Sequence, residues 1–134
     1  MIQQGYVTGS VKRLLQLEGL ALFALSVALY VEAGAGWKLF AILILVPDLS
    51  MLFYIAGSRI GSYAYNAMHS TILPIAVTAF GVFMSQPLAT DVGLIWVAHV
   101  GIDRALGFGL KYASSFGDTH LGRIGRRARE AVTA

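Results

Sequence analysis

Residues 39–56, LFAILILVPDLSMLFYIA, constrain this fold more than any other part of the chain. Asp48 is their only charge, and no polar stripe recurs at helical spacing. A helix on the surface of a water-soluble bundle needs such a stripe. An apolar run of about this length is what the ~30 Å hydrocarbon core of a bilayer demands. Similar runs precede and follow it, so spans are expected at about 14–32, 37–56, 62–84 and 91–111. The breaks between them are short and rich in Gly, Ser or Pro, as tight connections should be. The expected fold is all-α: one transmembrane domain, 1–134, forming an up-down-up-down four-helix bundle.

Composition supports the bilayer. The chain is 57% hydrophobic and 13% charged, against a usual charged share of about 25%, too few charges to coat a soluble domain of this size. The absence of cysteine excludes disulfides, thiolate metal sites and cysteine nucleophiles. The first apolar run, Leu14 to Val31, is too long for a typical signal-peptide core.

Lys12, Arg13, Arg59, Lys111 and the arginines of the tail fall on one side of a four-span topology. Lys38, beside Glu32 and Asp91, is the only basic residue on the other. Positive charge stays inside, so both termini are expected in the cytoplasm. The basic tail, 112–134, with Arg123, Arg126, Arg127 and Arg129, reads as a contact with lipid headgroups, not nucleic acid. Trp37 and Tyr112 are candidate interface anchors.

Ionisable groups inside the spans point to function, because hydrocarbon makes them costly to keep. At 1.5 Å of rise per residue, Glu18 lies ~7 Å from the cytoplasmic end of its span, His69 ~12 Å, Asp48 and Asp103 ~13 Å, and His99 ~20 Å. One slab of the bundle therefore collects groups from all four spans. Trp96, His99 and Asp103 share a face of the fourth span, and Ser62, Asn66 and His69 a face of the third. Glu18 shares its side of the first with Ala21, Ala24 and Ala28, small enough for a neighbouring helix to approach. Pro47 cannot donate to the carbonyl of Leu43, so a bend is expected beside Asp48. Pro74 strands the carbonyl of Ser70, one residue past His69.

Asp48, His69, His99 and Asp103 can supply a shell for a divalent metal, zinc, iron or manganese. A cation would also offset the burial of two acids. Around it, Glu18 is a candidate proton acceptor, and Arg59 or Arg104 a contact for an anionic headgroup. Asn66 and His120 complete the candidate catalytic set. Arg104 is expected to reach the carboxylate of Asp48 or Glu18, or to snorkel to the headgroups. The glycines at 107, 109 and 117 let the segment DTHLGRIG, with His120, fold back over the bundle or remain an exposed polar loop, and the loop is the favoured reading. A haem shared by His69 and His99 is disfavoured by their ~8 Å difference in depth.

The blocks LEGLALF, PDLSMLFYIAGSRIGSYAYNAMHSTILP and WVAHVGIDRALGFGLKYASSFGDTHLGRIG resemble a family of small bacterial four-span integral membrane proteins catalogued only as a domain of unknown function. Matching positions include Glu18, Pro47, Asp48, Arg59, Tyr65, Asn66, His69, Pro74, His99, Asp103, Arg104, Lys111, Thr119 and His120. The resemblance implies a multi-pass protein of the bacterial cytoplasmic (inner) membrane, and supplies no activity or cofactor. Three functions stay open: a metal-dependent, hydrolase-like intramembrane enzyme acting on a lipid-soluble or amphiphilic small molecule; a transporter or proton relay, which so short a chain could form only as a homo-oligomer; and a non-catalytic membrane assembly factor. The partners expected in each case are membrane lipids.

Overall fold

The computed structural model describes residues 5–124. They form a mostly helical chain: α1 (Gly9–Ala33), α2 (Trp37–Leu43) running into a 3-10 helix (Val46–Ala56), α3 (Ser58–His69), α4 (Ile72–Phe83) and α5 (Pro87–Leu106). Three helical stretches, Gly9–Ala33, Trp37–Ala56 and Ser58–Phe83, are long and apolar enough to cross a membrane. α5, which is not one of these three, carries His99, Asp103 and Arg104 and is the most enclosed, with an unbroken buried run from Val97 to Gly101. α1 and α4 pack along it.

The surface is inside-out relative to a soluble protein. Leu17, Leu25, Leu29, Leu49, Leu52, Ile55, Ile72, Phe80 and Val82 face outward, while Ser26, Ser50, Ser62, His69 and His99 are buried. Contiguous apolar exposure on this scale marks a surface meant for something other than water.

Glycine sets the helix spacing. A Cβ at Gly19 would lie 2.8 Å from the carbonyl oxygen of Gly101, and one at Gly101 would lie 2.7 Å from that of Gly19. The α1 and α5 backbones therefore touch at this crossing, as small residues allow between membrane helices. The buried face of α1 is Gly19, Ser26 and Tyr30. This corrects the expected interface of Glu18, Ala21, Ala24 and Ala28, which the structure leaves exposed. Glycine admits a closer approach than alanine, and the helix turns that way.

Both proline expectations need adjustment. At Pro47 the chain does not resume an α-helix after a bend: the Asp48 N–H donates to the carbonyl of Leu45 at 3.1 Å, and 3-10 winding continues for 11 residues. Such runs rarely exceed 3–4 residues, and inside a longer helix they often mark a functional hinge. At three residues per turn Asp48, Met51 and Tyr54 share one edge. The break near Pro74 falls earlier, at Ser70 (φ −77°, ψ 160°), so α3 stops at His69 and Pro74 sits inside the first turn of α4, where its missing N–H is harmless.

α5 also stops sooner than expected, at Leu106, where Gly107 takes a left-handed φ of 91°. The following residues do not form an exposed loop. Strands β1 (Asp118–Thr119) and β2 (Gly122–Arg123) pair antiparallel, and Lys111 bridges to Thr119. The fold is thus not purely helical. Thr119 and Leu121 are buried, and the Val7 N–H donates to the carbonyl of His120, tying the N-terminal segment to this hairpin. The expected loop folds back with the side chains of Asp118, Thr119, His120 and Arg123 all finding partners there. Arg126, Arg127 and Arg129, with the rest of the basic tail beyond residue 124, lie outside the described residues.

Candidate metal centre

Four side chains from three elements converge. Asp48 comes from the start of the 3-10 helix, His69 from the last turn of α3, and His99 with Asp103 from successive turns of α5. One ligand atom of each lies within 4.8 Å of all the others. His69 Nε2 is 3.1 Å from Asp48 Oδ1 and 3.5 Å from Asp103 Oδ2. The matching distances from His99 Nε2 are 3.2 and 3.3 Å. The two Nε2 atoms are 3.1 Å apart.

The outer nitrogens decide what the inner ones can be. His69 Nδ1 is 2.9 Å from the carbonyl of Tyr65, and His99 Nδ1 contacts the carbonyl of Ile44. A carbonyl only accepts, so each Nδ1 carries the hydrogen. In the neutral rings both Nε2 atoms then present bare lone pairs to each other and to two carboxylate oxygens. Protonating both would instead aim two N–H donors at one another across 3.1 Å. A single cation satisfies all four atoms. With metal–ligand bonds of ~2.0–2.1 Å, the edge of a tetrahedron is about 3.3–3.4 Å; the four carboxylate–imidazole distances bracket it, while the set as a whole spreads to 4.8 Å, wider than a closed tetrahedron on its carboxylate side. Backbone carbonyls that fix the imidazole tautomer are the usual outer shell of such sites. The Tyr65 ring adds a second restraint, stacked 3.7 Å from the His69 ring with 7° between planes.

The imidazoles are 2% and 3% exposed, the carboxylates of Asp48 and Asp103 33% and 19%. The open side is thus the carboxylate side. A cavity of about 190 Å³ lies there, lined by Asp48, Met51, Tyr65, Asp103, Phe108, Lys111, Phe116 and Ile124. The folded-back segment supplies four of these walls.

The other residues marked in the sequence are placed differently. Arg104 Nη2 donates at 2.9 Å to the carbonyl of His69, freed where α3 breaks, and Nη1 faces the carbonyl of Phe108. This corrects the expected pairing with a carboxylate: a buried, unpaired carbonyl attracts a guanidinium as well. Asn66 braces the segment after α5, donating to the carbonyl of Lys111 at 2.8 Å and accepting from its N–H at 2.7 Å. His120 Nδ1 accepts from the Leu110 N–H at 2.9 Å, and burial, then Arg104, lower its pKa from the usual 6.5. Glu18 and Arg59 are exposed, and the structure does not bring them to the four. The depth gap between His69 and His99 disappears once α5 is counted from Leu106, which puts His99 ~10 Å in.

Lys111 is the residue the sequence reading missed. It is 4% exposed, its Nζ donates to the carbonyl of Phe116 at 2.8 Å, and it sits 3.7 Å from the Phe116 ring centroid and 4.6 Å from that of Tyr65. Burial pushes its pKa down to about 8. The usable signal was a lysine between Gly109 and Tyr112, a few residues after a helix stop, which reads equally well as a topology marker.

The family described as Domain of unknown function (DUF4260) matches residues 12–124. The chain belongs to that family. No curated protein and no solved structure matches it.

Proposed function

We propose that this member of the DUF4260 family is a four-span protein of the bacterial inner membrane, with both termini cytoplasmic, that binds a divalent metal through Asp48, His69, His99 and Asp103. The metal centre serves a hydrolase-like reaction on a lipid-soluble or amphiphilic substrate. The observation that carries this reading is the pair of Nδ1–H···O=C contacts, which leave two imidazole lone pairs facing two carboxylate oxygens, the four atoms within 4.8 Å of one another. Two nitrogen and two oxygen donors suit zinc, iron or manganese.

A cation held by these four would have to expand to a fifth, water, ligand on the carboxylate side to do chemistry, and would then lower the pKa of that water toward neutrality. The protein's own contribution is directional. His69 and His99 close the inner side, so water and substrate reach the centre past Asp48 and Asp103. Asp48, the more exposed carboxylate, converges through Oδ1. Its Oδ2 remains to accept a proton on the cavity side. Met51, Phe108, Phe116 and Ile124 supply an apolar wall for the carbons of an amphiphile.

The test is elemental analysis of protein purified in detergent, alongside hydrolysis of fluorogenic long-chain esters. One metal per chain, with ester turnover lost on chelation and restored by one of the three metals, is the expected result. Protein without stoichiometric metal, and with unchanged melting in chelator, would refute the centre. Metal without turnover would refute the hydrolase assignment.

A further inference from the structure

Lys111 stands out among the groups left over. Among the described residues it has no carboxylate within ion-pairing distance; its ammonium is held by one carbonyl and two ring faces. A buried lysine is costly unless something compensates its charge. It lines the same cavity as Asp48 and Asp103, facing the open side of the centre.

Charge arithmetic names the missing group. Two carboxylates contribute −2, a divalent cation +2, neutral imidazoles nothing and Lys111 +1, leaving one positive charge on the cavity. Arg104 is not on the cavity wall. Neutrality in this half-open cavity, with Lys111 itself buried, asks for a single negative charge. The cavity, about 190 Å³, holds roughly six waters at ~30 Å³ each, enough for a small head and its first carbons. Beside the Tyr65 ring, its other walls, Met51, Phe108, Phe116 and Ile124, are apolar.

We propose that this cavity is a binding site for a carboxylate-headed, single-chain amphiphile, the head held by the Lys111 ammonium and the chain leaving along Phe108 and Phe116. The proposal rests on the metal reading for its charge balance, and the ligand is the kind of head that hydrolysis of a long-chain ester releases. Lys111 is held ready by contacts that leave ammonium hydrogens uncommitted: three donors, one of them used by Phe116.

The experiment measures binding of laurate, dodecanol and acetate by titration calorimetry to the full chain in an uncharged detergent, with metal content determined on the same samples. Laurate is expected to bind at least ten times more tightly than dodecanol, and acetate far more weakly than laurate. Lys111→Met should remove the preference for laurate over dodecanol while retaining metal, and Lys111→Arg should keep most of it. Equal binding of laurate and dodecanol by the unmodified protein overturns the proposal, even if Lys111→Met fails to fold. So does laurate binding that Lys111→Met leaves intact, or no laurate binding at all. Acetate binding as tightly as laurate overturns the amphiphile and leaves a small free anion. Protein lacking metal but keeping Lys111-dependent laurate binding refutes the metal centre and retains this site.

Discussion

Around Ile95 the interior is filled by one buried ring and aliphatic side chains. Tyr30 is fully buried against Leu94 and Ile95, with Phe40 and Trp37 at centroid distances of 5.3 and 5.7 Å. One turn further along α5, at His99, the interior is filled with two imidazoles, two carboxylates and a nearby ammonium. The same helix, packed by the same neighbour α1, supports both. At the ring end shape alone excludes water and lipid, and each side chain is content by itself. At the polar end no member is content alone, so each must be delivered to a fixed place. That demand explains why the irregular backbone is concentrated there: the 3-10 run presents Asp48, the break after α3 ends at His69, and the stop of α5 turns Lys111 inward.

The sharpest break of this contrast compares His99→Ala with Ile95→Ala. Outer-shell partners alone are worth 10- to 100-fold in metal affinity, so loss of a ligand should weaken binding by more than about 100-fold. Ile95→Ala leaves a cavity and should lower stability by ~2 kcal/mol or more, while metal content stays at one per chain. Elemental analysis and thermal melting in detergent read the two effects separately. If both variants lose metal to the same degree, the two regions are one packing unit, and the polar end has no chemistry of its own.

Much of this was legible in the sequence, for identifiable reasons. Apolar length announces helices long enough to cross a membrane, because lipid would impose one thickness on each. Asp48, His69, His99 and Asp103 could be grouped because i, i+4 spacing and depth are both linear in residue number. What escaped depends on where helical rise stops being linear. The early end of α5 at Gly107 changed the depth of His99 and put Lys111 beyond the helix. The 3-10 run after Pro47 changed the phase of Met51 and Tyr54. Glycine at position 19 outweighed the alanines as the packing face of α1, since contact distance and not small-residue count decides which face is buried. Arg104 took a backbone carbonyl that exists only because α3 breaks there.

A second, smaller effect concerns pH at the polar end. His120 is kept neutral by burial, then by Arg104, with its pKa below 6.5. Between that lowered value and 6.5 the unfolded chain binds more proton than the folded one, so stability rises with pH there and is lost as pH falls. Hydrogen exchange should therefore show weaker protection of residues 109–121 at pH 5.5 than at pH 7.5, after correction for intrinsic rates. His120→Asn should flatten that difference and leave protection around Tyr30 and Ile95 unchanged. Equal loss of protection at both ends on acidification would mean that the imidazole of His120 is not the sensor.

The smallest expected effect comes from the ring end. The Tyr30 hydroxyl donates to the carbonyl of Gly36 at 2.7 Å, a bond that closes the turn between α1 and α2. Tyr30→Phe keeps the ring, its edge contact with Phe40 and all of its burial against Ile95. The stranded carbonyl belongs to an exposed residue, so water can replace the hydroxyl. The cost should fall at the low end of the range for a hydrogen bond, about 0.5–1 kcal/mol, with metal content and laurate affinity unchanged. A larger loss, or any loss of metal, would show that the turn at Gly36 transmits strain along α5 to His99, and the division between the two ends would have to be redrawn one turn closer to the site.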